Sequence, residues 1–140
     1  MLTTVDLADR LRVSVGRLAR RLRQQSLGGL TPSQSSILAT LDRHGPMNMS
    51  DLAEHEGIRK PSATGIVGRL IDKELVAKEA DPRDGRSTIV TITAGGHDLL
   101  EARRRERTAY LARQVQGLDG EDRVVLERAV ELFEKMVDDR

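Results

Sequence analysis

The chain is helical by period from end to end except at one place. Val76 to Ala80 and Ser87 to Thr93 read as two short strands, and the charged loop Asp81-Pro-Arg-Asp-Gly-Arg86 joins them. Asp84-Gly85 within that loop is a strong turn signal. A lone two-stranded ribbon is not stable in water, so this one must lie against helices. Its tip carries Arg83 and Arg86. Arginines on such a tip suit the narrow, electronegative minor groove of a DNA duplex.

The flanking segments show where the helices run. Leu7, Leu11, Val15, Leu18 and Leu22 form one apolar stripe from Asp6 to Gln25, with arginines on the other faces. Gly28-Gly29 stops that helix. Thr31 caps the next, with Pro32 in its first position, and Ile37, Leu38 and Leu41 form its buried side. His44-Gly45-Pro46 ends it. A short helix follows near Ser50 to Glu56, capped by Asn48 or Ser50, after a possible short strand at Met47-Asn-Met49. Another helix runs from about Lys60 to Lys73. Beyond the ribbon, Thr93 caps a long helix from Ala94 to about Gln116, and a last helix spans Glu121 to Asp138. Its stripe is Val125, Leu126, Ala129, Leu132, Phe133 and Met136. The order is α-α-α-α-β-β-α-α, a mainly α fold with a small β-hairpin.

Composition narrows the chemistry. The 140 residues carry a net charge of +1, so any polyanion site must come from local clustering. Only four of the 23 basic residues are lysines: Lys60, Lys73, Lys78 and Lys135. Cysteine is absent, which excludes disulfides, thiolate metal sites and thiol catalysis. The only aromatic residues, Tyr110 and Phe133, are too few for a base-stacking platform, so a nucleic-acid ligand would be a duplex. Neither a signal peptide nor an apolar run of about 20 residues is seen, which predicts a cytoplasmic protein without a membrane partner.

The centre of the chain predicts a DNA reader. Leu52-Ala53, Gly57-Ile58, Ala63 and Ile66 fit a helix-turn-helix, with small Ala53 at the crossing and Gly57 supplying a positive φ at the turn. On a helical wheel Ala63, Ile66, Val67, Leu70 and Ile71 share the inward face. Pro61, Ser62, Thr64, Gly65, Gly68, Arg69 and Asp72 lie outward, a small polar face suited to a major groove about 12 Å wide. Lys60, with the helix N-terminus, is placed to hold a phosphate. A helix-turn-helix followed by a hairpin makes a winged helix.

Four passages carry a resemblance to the MarR family, the multiple-antibiotic-resistance type of bacterial transcriptional regulators. They are Leu52-Ala-Glu-His-Glu-Gly-Ile58, Lys60-Pro-Ser-Ala-Thr-Gly-Ile-Val-Gly-Arg-Leu70, Asp81-Pro-Arg-Asp-Gly-Arg-Ser87 and Thr91-Ile-Thr-Ala-Gly-Gly96. The resemblance implies one domain over 1–140, with residues 31–93 as the winged DNA-binding part and 1–30 and 94–140 as a helical dimerisation part. It also implies a homodimer on a palindromic operator, and repression relieved by a small molecule. Arg86 would enter the minor groove, braced by Asp84. Ser62, Ala63, Thr64 and Arg69 would lie at the major groove. Ser50, Arg59, Lys60, Pro61, Gly65, Arg83, Gly85 and Ser87 complete the candidate DNA-contact set. Leu7, Leu11, Val125, Leu126, Ala129, Leu132, Phe133 and Met136 are the candidate dimer contacts, because both terminal helices are amphipathic and a chain this small has little core to cover them.

Effector residues are not readable from the sequence. Arg17 or Arg21 is placed to attract an anionic aromatic or phenolic compound, although a solvated face explains the same arginines. No cofactor is indicated. His44, His55 and His97 lack paired metal-ligand spacing, so a metal-responsive regulator of the same fold is the alternative rather than the expectation. No phosphate loop, nucleophile elbow or triad points to an enzyme. A helical interaction module that binds no DNA is the remaining class.

Overall fold

The helix and turn boundaries are set by short-range hydrogen bonds that follow from residue type. The computed structural model describes residues 1–26 and 29–138. The elements are α1 (Thr4–Gln24), α2 (Pro32–His44), β1 (Met47–Asn48), α3 (Met49–Glu56), α4 (Lys60–Asp72), β2 (Val76–Ala80), β3 (Thr88–Ile92), α5 (Ala94–Gln116) and α6 (Gly120–Asp138). Helix α1 starts ahead of the expected Asp6 because the Thr3 hydroxyl accepts from the Asp6 amide at 3.1 Å. Gly28, expected to stop it, lies outside the described residues. Thr31 and Gln34 form a reciprocal capping box at α2, with Pro32 in the first turn. Asn48, not Ser50, caps α3: its side-chain oxygen accepts from the Asp51 amide at 2.7 Å. Gly57 closes α3 at φ 66°, and the Ile58 amide reaches back to the Ala53 carbonyl at 3.0 Å.

The short strand expected at Met47-Asn-Met49 forms over Met47–Asn48 and widens the hairpin to three strands. The strand order is β1-β3-β2, all antiparallel. Met47 faces Val90 and Asn48 faces Ile89, so β1 covers the outer edge of β3. Val76 pairs with Ile92, and Ala80 with Thr88.

Two compact units make up the chain: residues 26–105, and residues 1–25 together with 106–140. The first holds the buried apolar cluster. Ile37, Leu38 and Leu41 of α2 meet Leu52 and Ala53 of α3, Ala63, Val67 and Leu70 of α4, Val76 and Val90 of the sheet, and Leu100 of α5. The opening of α5 therefore belongs with the reader, with Gly96, Leu100 and Arg103 buried. In the other unit, neither α1 nor α6 buries a residue.

A short backbone segment ties the reader together. After α4 the Glu74 amide returns to the Ile71 carbonyl at 2.8 Å and the Leu75 amide to Leu70 at 3.0 Å, with Glu74 at φ 61°. This is a Schellman-type end with a non-glycine residue in the left-handed position. The Leu75 carbonyl accepts from the Thr93 amide at 3.0 Å. The Thr93 hydroxyl donates to the Glu74 carbonyl at 2.8 Å and accepts from the Gly96 amide at 3.0 Å. A Cβ on Gly96 would lie 2.2 Å from the Leu75 carbonyl oxygen.

Two polar ties join α2 to its neighbours. Ser36 and Thr40 each donate to the Glu56 carboxylate at 2.6 Å, fixing the end of α3. At the other end of α2, Asp42 meets the His97 ring nitrogen Nδ1 at 2.8 Å and the Arg104 guanidinium at 3.2 Å. Arg104 also pairs with Glu101. The hydrogen bond to His97 holds the Asp42 carboxyl below its usual value of 3.8, and Asp42 in turn raises His97 above 6.5.

Gly96→Ala should destabilise the protein by about 2 kcal/mol or more, because the clash is with backbone rather than a flexible side chain. Urea unfolding would show it as a lower midpoint at unchanged slope. The Asp42–His97 tie predicts a second result. A raised histidine contributes fully below pH 6.5 and loses its contribution as pH rises through its folded value. The lowered Asp42 contributes above pH 3.8 and loses it as pH falls through its own folded value. Stability should therefore fall as pH rises past 6.5, and His97→Gln should flatten that fall in unfolding curves taken across neutrality.

Candidate nucleic-acid interface

The outward face of α4 is built from small residues because its inward face does the packing. Ala63, Val67 and Leu70 are buried, while Ile66 and Ile71 are half-buried against the same cluster. Lys60, Pro61, Ser62, Thr64, Gly65, Arg69 and Asp72 are exposed, with Gly68 half-buried between them. Ala63 is the exception to the expected contact set. It is fully buried (0 % exposed), so it lets α3 and α4 approach rather than presenting anything to a groove. The helical wheel placed it correctly and the carry-over from the family did not.

The N-terminus of α4 is bare. Arg59 occupies the cap position in extended conformation and makes no side-chain cap bond, and Pro61 stands in the first turn. The Ala63 amide already bonds back to the Arg59 carbonyl at 3.0 Å, and Lys60 is exposed at the helix start. The Thr64 hydroxyl donates to the Lys60 carbonyl at 2.9 Å. Its proton is committed within the helix, leaving a methyl group and an acceptor to face outward. Ser50 lies exposed in the first turn of α3.

Both aspartates brace the tip of the ribbon, chiefly through its backbone. The Asp81 amide donates to the Ser87 carbonyl at 3.0 Å, and the Ser87 amide to the Asp84 carbonyl at 2.9 Å. Asp81 accepts from the Arg83 amide at 2.9 Å, and Asp84 from the Arg86 amide at 3.1 Å. The aspartates thus fix the loop backbone, as Asx turns do. The side-chain pairing is slight. Arg86 Nε stands 3.7 Å from Asp84 with the arginine side chain 97 % exposed, a contact of little energetic weight. Among the described residues Arg83 has no ion pair. Gly85 does not adopt a positive φ; the turn signalled by Asp84-Gly85 is a β-turn over Asp84–Ser87 with Gly85 and Arg86 at its centre. Arg83, Asp84, Gly85 and Arg86 are exposed and Ser87 is half-buried.

The histidines sit within the reader in two arrangements. His97 is held by Asp42, and His44 packs edge-on to His55 with ring centroids 5.0 Å apart. Among the described residues, no group of three or more His, Cys, Asp or Glu side chains is arranged to hold a metal ion. No described helix is long and apolar enough to cross a membrane.

Sequence reasoning missed two features of the site's support. Thr31-x-x-Gln34 is a legible capping-box signature. The Ser36–Glu56–Thr40 tie carries no such signal, because its partners are distant in sequence.

A small-faced helix after a tight turn, followed by a ribbon with an outward arginine tip, defines a winged helix-turn-helix DNA-binding protein. Residues 30–88 match the sequence profile of the MarR family. A helix-turn-helix-type transcriptional regulator of Mycobacterium leprae is 35 % identical over 134 residues, covering 95 % of this chain and 94 % of its own. A putative transcriptional regulator of Pseudomonas aeruginosa superposes with a TM-score of 0.82 at 29 % identity, covering 96 % of each chain. BpsR of Bordetella bronchiseptica, whose DNA binding is regulated by 6-hydroxynicotinic acid, superposes with a TM-score of 0.58 at 27 % identity, over 94 % of this chain and 98 % of its own. The chain belongs to the MarR family. It is a bacterial DNA-binding transcriptional regulator, and the family is not one of enzymes.

Proposed function

We propose that two copies of this chain bind a palindromic operator and repress transcription by occluding it, until a small-molecule effector releases them. The observation that carries the reading is the wing: Arg86 stands fully outward on a loop whose backbone its own aspartates hold. Arg86 enters a minor groove, and Arg83, Gly85 and Ser87 line the adjoining backbone. The α4 helices lie in successive major grooves about 34 Å apart, one helical turn. Ser62, Thr64 and Arg69 face base edges there. Lys60 and the uncapped start of α4 hold a phosphate, with Ser50, Arg59 and Pro61 beside it.

Dimerisation rests on apolar surface that the single chain leaves in water. Leu7, Val15 and Leu18 of α1 are exposed, as are Val125, Leu132, Phe133 and Met136 of α6. Leu11, Leu126 and Ala129 are half-buried beside them. Such stripes on two helices are the expected face of an isologous contact. In this reading the whole chain works as one domain: residues 31–93 read DNA, and 1–30 with 94–140 dimerise, apart from the first turns of α5 that pack in the reader. The effector is a small aromatic or phenolic acid. The regulation of BpsR by 6-hydroxynicotinic acid supports that class, and Arg17 and Arg21 on α1 offer cationic groups for it. The site of action is the cytoplasm, where the operator is.

Arg86→Ala should weaken operator binding by more than about 1 kcal/mol and flatten the preference for narrow-groove flanks. Sedimentation should still find two chains per duplex. Unchanged affinity would remove Arg86 from the interface. Lys60→Ala should lower the slope of log affinity against log salt by about one unit while leaving sequence preference intact. A titration at several salt concentrations decides it.

A further inference from the structure

The glycines at 65 and 68 have no role inside the folded chain. A glycine within a helix lowers the folded-to-unfolded ratio about fivefold relative to alanine, so its presence calls for a reason. Three other glycines here have one. Gly45 and Gly57 adopt positive φ, and Gly96 lies against the Leu75 carbonyl. Gly65 and Gly68 lie mid-helix without positive φ, and a Cβ built on either meets nothing within 4 Å. Alanine would fit the free protein at both positions and favour the helix.

The reason must therefore lie outside the chain. Residues three apart share a helical face, and this is the face that carries Ser62 and Arg69. Its neighbour Thr64 turns its hydroxyl proton back to the Lys60 carbonyl. No long side chain then stands between Lys60 at the start of α4 and Arg69 near its end. Gly16 has the same unfilled surroundings and lies in α1, the helix assigned above to a contact between copies.

We propose that Gly65 and Gly68 are specificity-determining positions, at which the bare backbone of α4 lies directly against base edges in the major groove. The inference rests on the DNA-binding reading above. Any side chain at 65 or 68 holds the helix off the bases. Recognition at the centre of each half-site then depends on close backbone approach and on which base edges admit it, thymine methyl groups included, rather than on long side chains. Lys60 and the wing hold phosphate and the minor groove independently of that approach.

The test uses the full chain with Gly65→Ala and Gly68→Ala. Two DNA probes are needed: a duplex that the unsubstituted protein selects from a randomised pool, and sheared genomic DNA of random sequence. Each substitution should raise the folded-to-unfolded ratio about fivefold in urea unfolding. Affinity for the selected duplex should fall tenfold or more, within the range of a lost base contact. Binding to random-sequence DNA should change less than twofold, since phosphate contacts remain. Unchanged affinity for the selected duplex overturns the proposal, and so does a loss of stability, which would give the glycines an internal role. If that affinity is unchanged while Arg86→Ala still weakens binding, only the glycine proposal fails. If the protein selects no duplex at all, the DNA reading itself fails, and this inference with it.

Discussion

The orientation of the reader depends on four backbone hydrogen-bonding residues, Glu74, Leu75, Thr93 and Gly96. The chain leaves α4 through Glu74, enters β2 at Val76, returns along β3 and starts α5 at Ala94. Those transitions meet where the Leu75 carbonyl accepts from Thr93 and faces Gly96 without a side chain between them. Thr93 does two jobs with one hydroxyl, closing the end of α4 through Glu74 and capping α5 through Gly96. Displacing this junction would change the angle between α4 and the wing. That is why a single methyl group at position 96 weighs more than most surface charges.

Stability is distributed unevenly. The buried apolar cluster lies within residues 26–105, and α1 and α6 bury nothing on their own. An isolated amphipathic helix gains little from propensity, since most helical stability in proteins comes from packing an apolar face. The single chain leaves the apolar faces of the terminal helices exposed, whereas the reader buries its own. Asp42, His97 and Arg104 fasten α2 to the start of α5 within the reader. This tie couples a titratable histidine to an acidic partner across two helices.

The wing shows how an exposed site can be preorganised. Two aspartates accept backbone amides from the residues two positions on, so the loop is fixed while the arginine side chains stay exposed, Arg86 keeping only a long contact to Asp84. A guanidinium on a fixed backbone loses less freedom on binding than one on a mobile loop. The recognition helix is arranged in the opposite sense: its backbone is open and its hydroxyl at Thr64 is turned inward. Rigid support with exposed arginines at one end, and bare backbone at the other, suit a groove shape more than a set of side-chain codes.

Much of this was legible in the sequence because it is local. Apolar period located the helices, Thr31, Asn48 and Thr93 marked caps, and Gly57 foretold a positive φ. The helical wheel separated the buried face of α4 from its small outward face, and Arg86 was visible at the tip of a charged loop. Where the sequence misled, the cause was a borrowed role: Ala63 packs inward although the family pattern put it at the groove. Of the two caps that the sequence offers for α3, the packed chain uses Asn48. The sequence by itself determined the elements, their order and the chemistry of the exposed faces, because these depend on neighbours within a few residues. Tertiary structure alone decided the pairing of the short Met47–Asn48 strand with β3, the Ser36–Glu56–Thr40 and Asp42–His97 ties, and the contact between Leu75 and Gly96. Each joins residues far apart in the chain, and only the packed backbone fixes which of the available partners meet.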